Sequence, residues 1–540
     1  MLLEKDYRKA DVRKVSEWIR AFSDPKIDDD LKKIYGDNPE LLSERKTAFL
    51  QTLNEFNRVY YGDKRVILIR VPGRANLMGK HIEHRGGYVN YFCIQREIIA
   101  VASPREDDRV ILHNVNSKFS QRAFSIQKEI PEDKRGNWLD YINKVNISKG
   151  DWGNYIKAIV MAFQNRYPDK KLRGMEVLIN GNIPVAAGLS SSSALIVTGT
   201  IATIVFNNLK ISKEELAEFC GEAEWYVGTR GGAGDHAAMI FGKRGFITHL
   251  RFFPFTLDLA LFPANYEIVI CNSLKRAPKS KEVRNTFNER IFTYEIALML
   301  IKKNFPQFSD ELVYLRDVNA ESLKVKEDFI YQILKSLPRT ITRKEILQEL
   351  PLEKKRLNSS FQTHQTPFDG YKVKDVCLFG LSECSRSKIF SHFLRKGDIQ
   401  KLGKLMCISH DGDRLFKFND KGERYLWNNE ASDDYLDKLI KDLESDDFQK
   451  REKAKIYMQS GGYRCSTEEL DELIDIAEKV KGVMGACLTG AGLGGCILVL
   501  IRKENVEDLL KNMKEKYYQP RGLPLAAGVC ISTEGAGVLT

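Results

Sequence analysis

Three glycine-punctuated stretches and one aspartate among small residues hold the side chains from which phosphate and hydroxyl chemistry is made. The first stretch, Pro184 to Leu195, reads PVAAGLSSSSAL. Small residues there let backbone N–H groups approach a phosphate, and a helix starting behind them adds partial positive charge. Its serine hydroxyls can donate to phosphate oxygens or bind Mg²⁺. No Gly-Lys-Ser/Thr follows, so it is not a Walker A loop. Composition alone leaves a flexible turn and helix cap equally open. The second stretch, Thr489 to Cys496, reads TGAGLGGC between two apolar runs; a hairpin with close backbone packing is its plain alternative. The third, Val71 to Gly87, reads VPGRANLMGKHIEHRGG and gathers Arg74, Lys80, His81, Glu83 and His84. Titratable groups in such a loop suit substrate binding, or else simply face solvent. Asp235, in GGAGDHAA, has little bulk around it. It can reach a substrate hydroxyl, or cap a helix beginning at His236.

These loops need elements to hold them. RVILIRVPG, from Arg65, predicts a strand and then a turn. GYVNYFCI and REIIAVASP predict two more strands, and NWLDYINKV and GNYIKAIVMAFQNRY predict helices. GMEVLINGNIPV predicts a strand entering the serine loop, and SALIVTGTIATIVF a buried helix leaving it. ISKEELAEFCGEAEWYVG opens on a Ser-then-Glu helix start. After the strand YEIVICNS, helices dominate from about 280 to 480, and the charged segment 415–462 reads as an exposed insertion. GACLTGAGLGGCILVLI and GVCISTEGAGVL return to strands. This order predicts an α+β protein of two lobes with its site between them.

Bulk properties narrow the function classes. A chain of 540 residues suits two or three domains. The net charge of +11 is spread among interleaved acidic residues. That pattern argues against a nucleic-acid partner and permits anionic substrates. Ten scattered cysteines form no C-x-x-C pair or zinc spacing, which predicts reduced thiols in a cytoplasmic protein. Met1 to Asp24 has no apolar signal core, and no apolar run approaches the ~18 residues of a membrane helix, so no membrane partner is expected.

Together the stretches resemble the GHMP kinase superfamily and, in order and spacing, its galactokinase-like sugar kinases. PGRANLMGKHIEHRGG is similar to the signature P-G-R-x-N-L-I-G-E-H-x-D-Y-x-G-G; PVAAGLSSSSA resembles the nucleotide motif and LTGAGLGGC the C-terminal glycine motif. WGNYIKAI, FLRKGDIQKLGKLMCISH, CSTEELDELI and ISTEGAGVL are weaker matches. The resemblance implies a two-lobed fold, with an N-terminal lobe of ribosomal-S5-like topology and a C-terminal lobe of split β-α-β type. The expected division is a helical extension over 1–43, an N-terminal domain over 44–270 and a C-terminal domain over 271–540, with insertions near 325–370 and 415–462.

By the same resemblance the chain uses ATP and Mg²⁺ to phosphorylate the anomeric hydroxyl of galactose or a derivative such as galacturonate. Asp235 and Arg74 take the catalytic places; Lys80, His81, Glu83, Gly232 and Asp235 face the sugar. Gly188, Leu189, Ser190, Ser191, Ser192, Ser193, Gly490 and Gly492 hold ATP, with Gly494 and Gly495 supporting the cleft wall. Ser192 and Glu224 bind the metal, and a one-residue difference in spacing leaves Glu222 open as an alternative. Two other readings stand beside this one: a galactokinase-like sugar sensor without turnover, and a GHMP kinase acting on a non-sugar alcohol. Oligomeric state does not follow from the sequence.

The chain departs from the signature at Lys80, which stands where the family's Glu bonds the sugar 6-hydroxyl, and at Glu83, which replaces Asp. Glu83 keeps a carboxylate. An ammonium at 80 pairs better with a 6-carboxylate, and GKHIEHRGG also looks like the galacturonic acid kinase form of the loop. The alternative is a Lys80 turned to solvent or paired with Glu83. The family's sugar-contacting Tyr is absent from KSKEVRN.

Overall fold

The computed structural model describes residues 3–4, 6–148, 150–228, 231–275 and 281–540. The expectation on KSKEVRN falls on residues 279–285, where 279–280 and the side chains of 281–284 lie outside the described residues.

Alternation along two long strands sets the architecture. In the strand Arg65–Met78, Ile67 and Ile69 enter one core while Val66 and Leu68 enter another. Its antiparallel partner Val89–Pro104 does the same with Ala100 and Ala102 against Ile99 and Val101. All eight are buried, so the sheet is covered on both faces, and its strands read as continuous apolar runs. The helices Gly153–Arg166, Ser191–Asn207 and Lys213–Glu224 cover one face. The N-terminal helices Val15–Ser23, Lys26–Tyr35 and Pro39–Tyr60 cover the other, inserting Trp18, Phe22, Phe49 and Phe56. The N-terminal preface is thus helical and serves as a lid on the sheet. Its last helix runs across the expected boundary at 43/44.

The strand from Arg65 does not stop at Pro72-Gly73. Its pairing shifts register there and again between Asn76 and Met78. Bulges absorb the donor that Pro72 lacks and bend the strand. Val89–Pro104 is likewise one strand where two were expected. The result is a long bent hairpin with Arg74 in its distal half and the loop Gly79–Tyr88 at its tip.

The sheet order is Leu3–Glu4, Gly537–Leu539, Arg65–Met78, Val89–Pro104, Met175–Gly181, Arg109–Asn114, Arg122–Ser125. Phe246–Arg251 pairs with the start of Val89–Pro104. The C-terminal strand Gly537–Leu539 therefore completes the first lobe. A second, antiparallel sheet runs Val483–Leu488, Cys496–Arg502, Tyr266–Asn272, Ala527–Val529, packed against the helices Glu468–Glu478 and Val506–Met513.

Between the sheets the chain is mainly helical. The segments near 325–370 and 415–462 share one core: Tyr331 and Leu334 of the helix Glu327–Lys335 pack in the same cluster as Leu436 and Leu439 of the helix Asp433–Leu443. The second segment is thus exposed only in part. Its charges lie on the outer face of an amphipathic helix, and the strand Arg424–Leu426 is open to solvent.

Candidate active site

All three glycine stretches and Asp235 contribute to one cavity of about 430 Å³. The strand Met175–Gly181 leads into the serine loop, where Ser190, at φ +60°, turns the chain into the helix Ser191–Asn207. Gly188 and Ser190 to Ser193 line the cavity at this helix start, so orphan N–H groups and hydroxyls converge there. Leu189 is buried and lies off the lining; its carbonyl accepts from the Arg74 backbone N–H at 3.4 Å. Gly490 and Ala491 enter from the second sheet. Gly492 stays outside the lining. Its φ of +78° and a would-be Cβ 2.2 Å from the Cys465 carbonyl oxygen make it a packing glycine.

Asp235 sits in the first turn of the helix Gly234–Phe241. It does not cap that helix; its carboxylate turns to Arg74. Arg74 Nε donates to Asp235 Oδ1 at 2.7 Å and its second amine to Oδ2 at 2.5 Å. The remaining amine reaches the Gly188 carbonyl at 2.6 Å. Ser190 Oγ also donates to Asp235. Burial would raise the Asp235 carboxyl, yet the Arg74 guanidinium, Ser190 and His236 hold it below the usual carboxylate range. Tyr91, which lines the cavity, is pushed well above the ordinary phenol range, first by burial and then by Asp235 and Glu83.

Glu83 opens a short turn, Glu83–Arg85, at the hairpin tip and accepts backbone N–H groups of Gly234 and Ala233. This approach requires glycine: a Cβ on Gly232 would stand 2.1 Å from Glu83 Oε1, and one on Gly234 2.4 Å from Oε2. Burial, followed by the Asp235 charge, raises the Glu83 carboxyl to about 7.

Glu224 lines the cavity and accepts from Ser193 Oγ at 3.1 Å, with His236 Nε2 also 3.1 Å away. Glu222 is exposed and lies off the lining. Ser192 lines the cavity, while the adjacent Ser193 makes the bond to Glu224. These hydroxyl and carboxylate oxygens suit Mg²⁺. Among the described residues no group of three or more His, Cys, Asp and Glu could hold a metal, so a Mg²⁺ here would complete its shell from phosphate and water oxygens. Phe119, Trp152, Tyr155, Ile183 and Val185 give the cavity lining an apolar part.

Lys80 neither faces solvent nor pairs with Glu83. It is 1% exposed, lines the cavity, and places Nζ 3.7 Å from Asp413 Oδ2. His81 places Nε2 3.3 Å from Asp413 Oδ1 and stacks on Tyr463 at 4.2 Å. The backbone N–H groups of Gly79 and Lys80 donate to Glu383 Oε1 at 2.8 and 3.2 Å. Sequence reasoning missed Asp413, Glu383 and Tyr91. The first two lie in helices, Ile399–Asp413 and Val373–Lys396, whose local pattern reads as core; a charged residue buried in such a helix was the available signal. Tyr91 lies within a strand pattern that its apolar ring satisfies.

Three family models match the chain: the galactokinase galactose-binding signature over residues 54–104, the N-terminal domain of GHMP kinases over 154–243, and the C-terminal domain of GHMP kinases over 436–519. A galactokinase of Dictyostelium discoideum is 27% identical, with 91% of this chain and 90% of that protein covered. A galactokinase of Schizosaccharomyces pombe is 24% identical over 92% and 95%. The solved structure of Lactococcus lactis galactokinase complexed with galactose superposes with a TM-score of 0.63 at 23% identity, covering 90% of this chain and 98% of that one. The last likeness gives the fold.

Proposed function

We propose that this chain is a galactokinase-like sugar kinase of the GHMP family, as its family models and relatives support, and that it transfers the γ-phosphoryl group of ATP to the anomeric hydroxyl of galactose or a galactose derivative. The carrying observation is the Asp235 carboxylate, gripped at both oxygens by Arg74 on the cavity lining.

In this reading the adenine lies on the apolar part of the lining and the phosphates on Gly188 and Ser190 to Ser193. Ser192 and Glu224 would hold Mg²⁺, which would supply positive charge beside the phosphates; Ser193 and His236 keep Glu224 in place. Glu83, His81 and Lys80 receive the sugar. Asp235 orients the C1 hydroxyl toward the phosphorus and accepts its proton. Because Arg74 lowers the Asp235 pKa, the carboxylate is a weak base toward the free hydroxyl, and the proton leaves as the O–P bond forms. Arg74 also offsets negative charge building on the transferred group. An intact Asp235–Arg74 pair favours turnover over a sensor, and the scattered cysteines, with no C-x-x-C pair or zinc spacing, fit a cytoplasmic setting.

An ADP-release assay with Mg-ATP over galactose, N-acetylgalactosamine, glucose, arabinose, galacturonate and glucuronate tests this. We expect turnover of a galactose-type sugar, and a loss of roughly a hundredfold or more in kcat for Asp235→Asn with ATP binding kept. Binding of both ligands without ADP release by the wild type would turn the reading into a sensor.

A further inference from the structure

We propose that Lys80 and Asp413 act as one specificity element, which selects a sugar carrying a neutral hydroxyl, and disfavours a uronate, at the position facing Lys80. The inference rests on the sugar-kinase reading above and narrows its substrate class.

A lone lysine at this place suggests a carboxylate ligand, but the tertiary structure supplies the counter-charge from the protein itself. The Lys80 and Asp413 side chains are both fully buried, with Nζ 3.7 Å from Oδ2. An isolated buried ammonium is costly, and a paired one much less so. Asp413 remains charged: burial would raise its carboxyl, yet His81, Lys80 and His410 hold it below the usual carboxylate range. Glu383, reaching the hairpin loop from the helix Val373–Lys396, accepts from the Gly79 and Lys80 backbone and is itself paired with Arg386 at 2.9 Å.

The pair also has unused hydrogen-bonding capacity. Neither Lys80 Nζ nor either Asp413 oxygen has a hydrogen-bond partner among the described residues, and the same holds for His81 Nε2. Lys80 and His81 line the cavity while Asp413 stands behind them. A sugar hydroxyl at Lys80 adds no charge to the buried pair. A sugar carboxylate at the same place adds a second negative charge close to Asp413, inside a site where water screens little, so specificity arises from the repulsive term.

Calorimetric titration of the full chain, loaded with Mg-ADP, with galactose and with galacturonate tests the pair independently of turnover. We expect the wild type to bind galactose at least roughly tenfold more tightly. Asp413→Asn removes the repelling charge and is expected to narrow that ratio by roughly tenfold. Lys80→Met leaves Asp413 unopposed and is expected to widen it by a similar factor. The two opposite shifts keep the test alive if one variant fails to fold. Equal or tighter galacturonate binding by the wild type would overturn the inference alone and leave the sugar-kinase reading standing. Shifts of the two variants in the same direction would also overturn it. Absence of binding by either sugar would remove the sugar-kinase reading and this inference with it.

Discussion

Gly188 and Gly490 meet where the two lobes close on the cavity: a Cβ on Gly490 would stand 2.8 Å from Gly188 Cα, and one on Gly188 2.5 Å from the Thr489 carbonyl oxygen. Both have positive φ, +76° and +78°. The serine loop of the first lobe therefore approaches the second backbone to backbone, and Asn76 donates its N–H to Thr489 Oγ1 at 3.0 Å.

This contact predicts a sharp glycine requirement. Gly490→Ala should cost about 1–3 kcal/mol through strain and displacement of the serine loop, and should weaken ATP binding. Gly528→Ala, whose Cβ meets nothing within 4 Å, is the control and should be near neutral. Thermal melting with ATP titration reads both. Equal behaviour of the two variants would show that the contact does not shape the serine loop.

A second prediction separates the two candidate metal carboxylates. Glu224→Gln should raise the Mg²⁺ concentration needed for half-maximal ADP release by roughly tenfold or more. Glu222→Gln, at an exposed position off the cavity, should leave the Mg²⁺ curve where it is. Ser193→Ala should shift it less than Glu224→Gln, since Ser193 bonds to the Glu224 carboxylate. A Mg²⁺ curve moved by Glu222→Gln instead would reassign the ligand.

The third prediction concerns pH. Glu83 is raised from 4.5 to about 7, first by burial and then by Asp235, so the folded state holds its proton more tightly than the unfolded chain does. Its contribution to stability is full below about 4.5 and is lost as pH rises through about 7. The unliganded protein should therefore lose on the order of 1–3 kcal/mol across that window, and Glu83→Gln, which cannot ionise, should flatten the loss. Melting curves from pH 5 to 8 would decide it. A wild-type profile as flat as that of the variant would show that Glu83 is ionised throughout.

The sequence by itself determined the local chemistry and most of the elements. Small residues and serines between a strand and a helical run mark a turn into a helix start, and Ser212 does cap the helix Lys213–Glu224, accepting from the Glu215 N–H at 3.2 Å. The apolar strands and the strand-loop-helix around the serines were legible because short-range propensity and backbone sterics decide them, whereas Asp235 and Arg74 were singled out together through the resemblance of their motifs. Long-range partners were not legible. Arg74 and Asp235 are 161 residues apart, and Gly79 and Glu383 are 304 apart; a bulged strand, two cores and a helical insertion bring them together. The choice between Ser192 and Ser193 shows the limit at its smallest. Adjacent residues on a helix point about 100° apart, so only the orientation of Ser191–Asn207 against the sheet determines that Ser193 meets Glu224. Lys80 shows it at its largest, since the sequence displays a cation and only the packed structure places Asp413 beside it to cancel the charge.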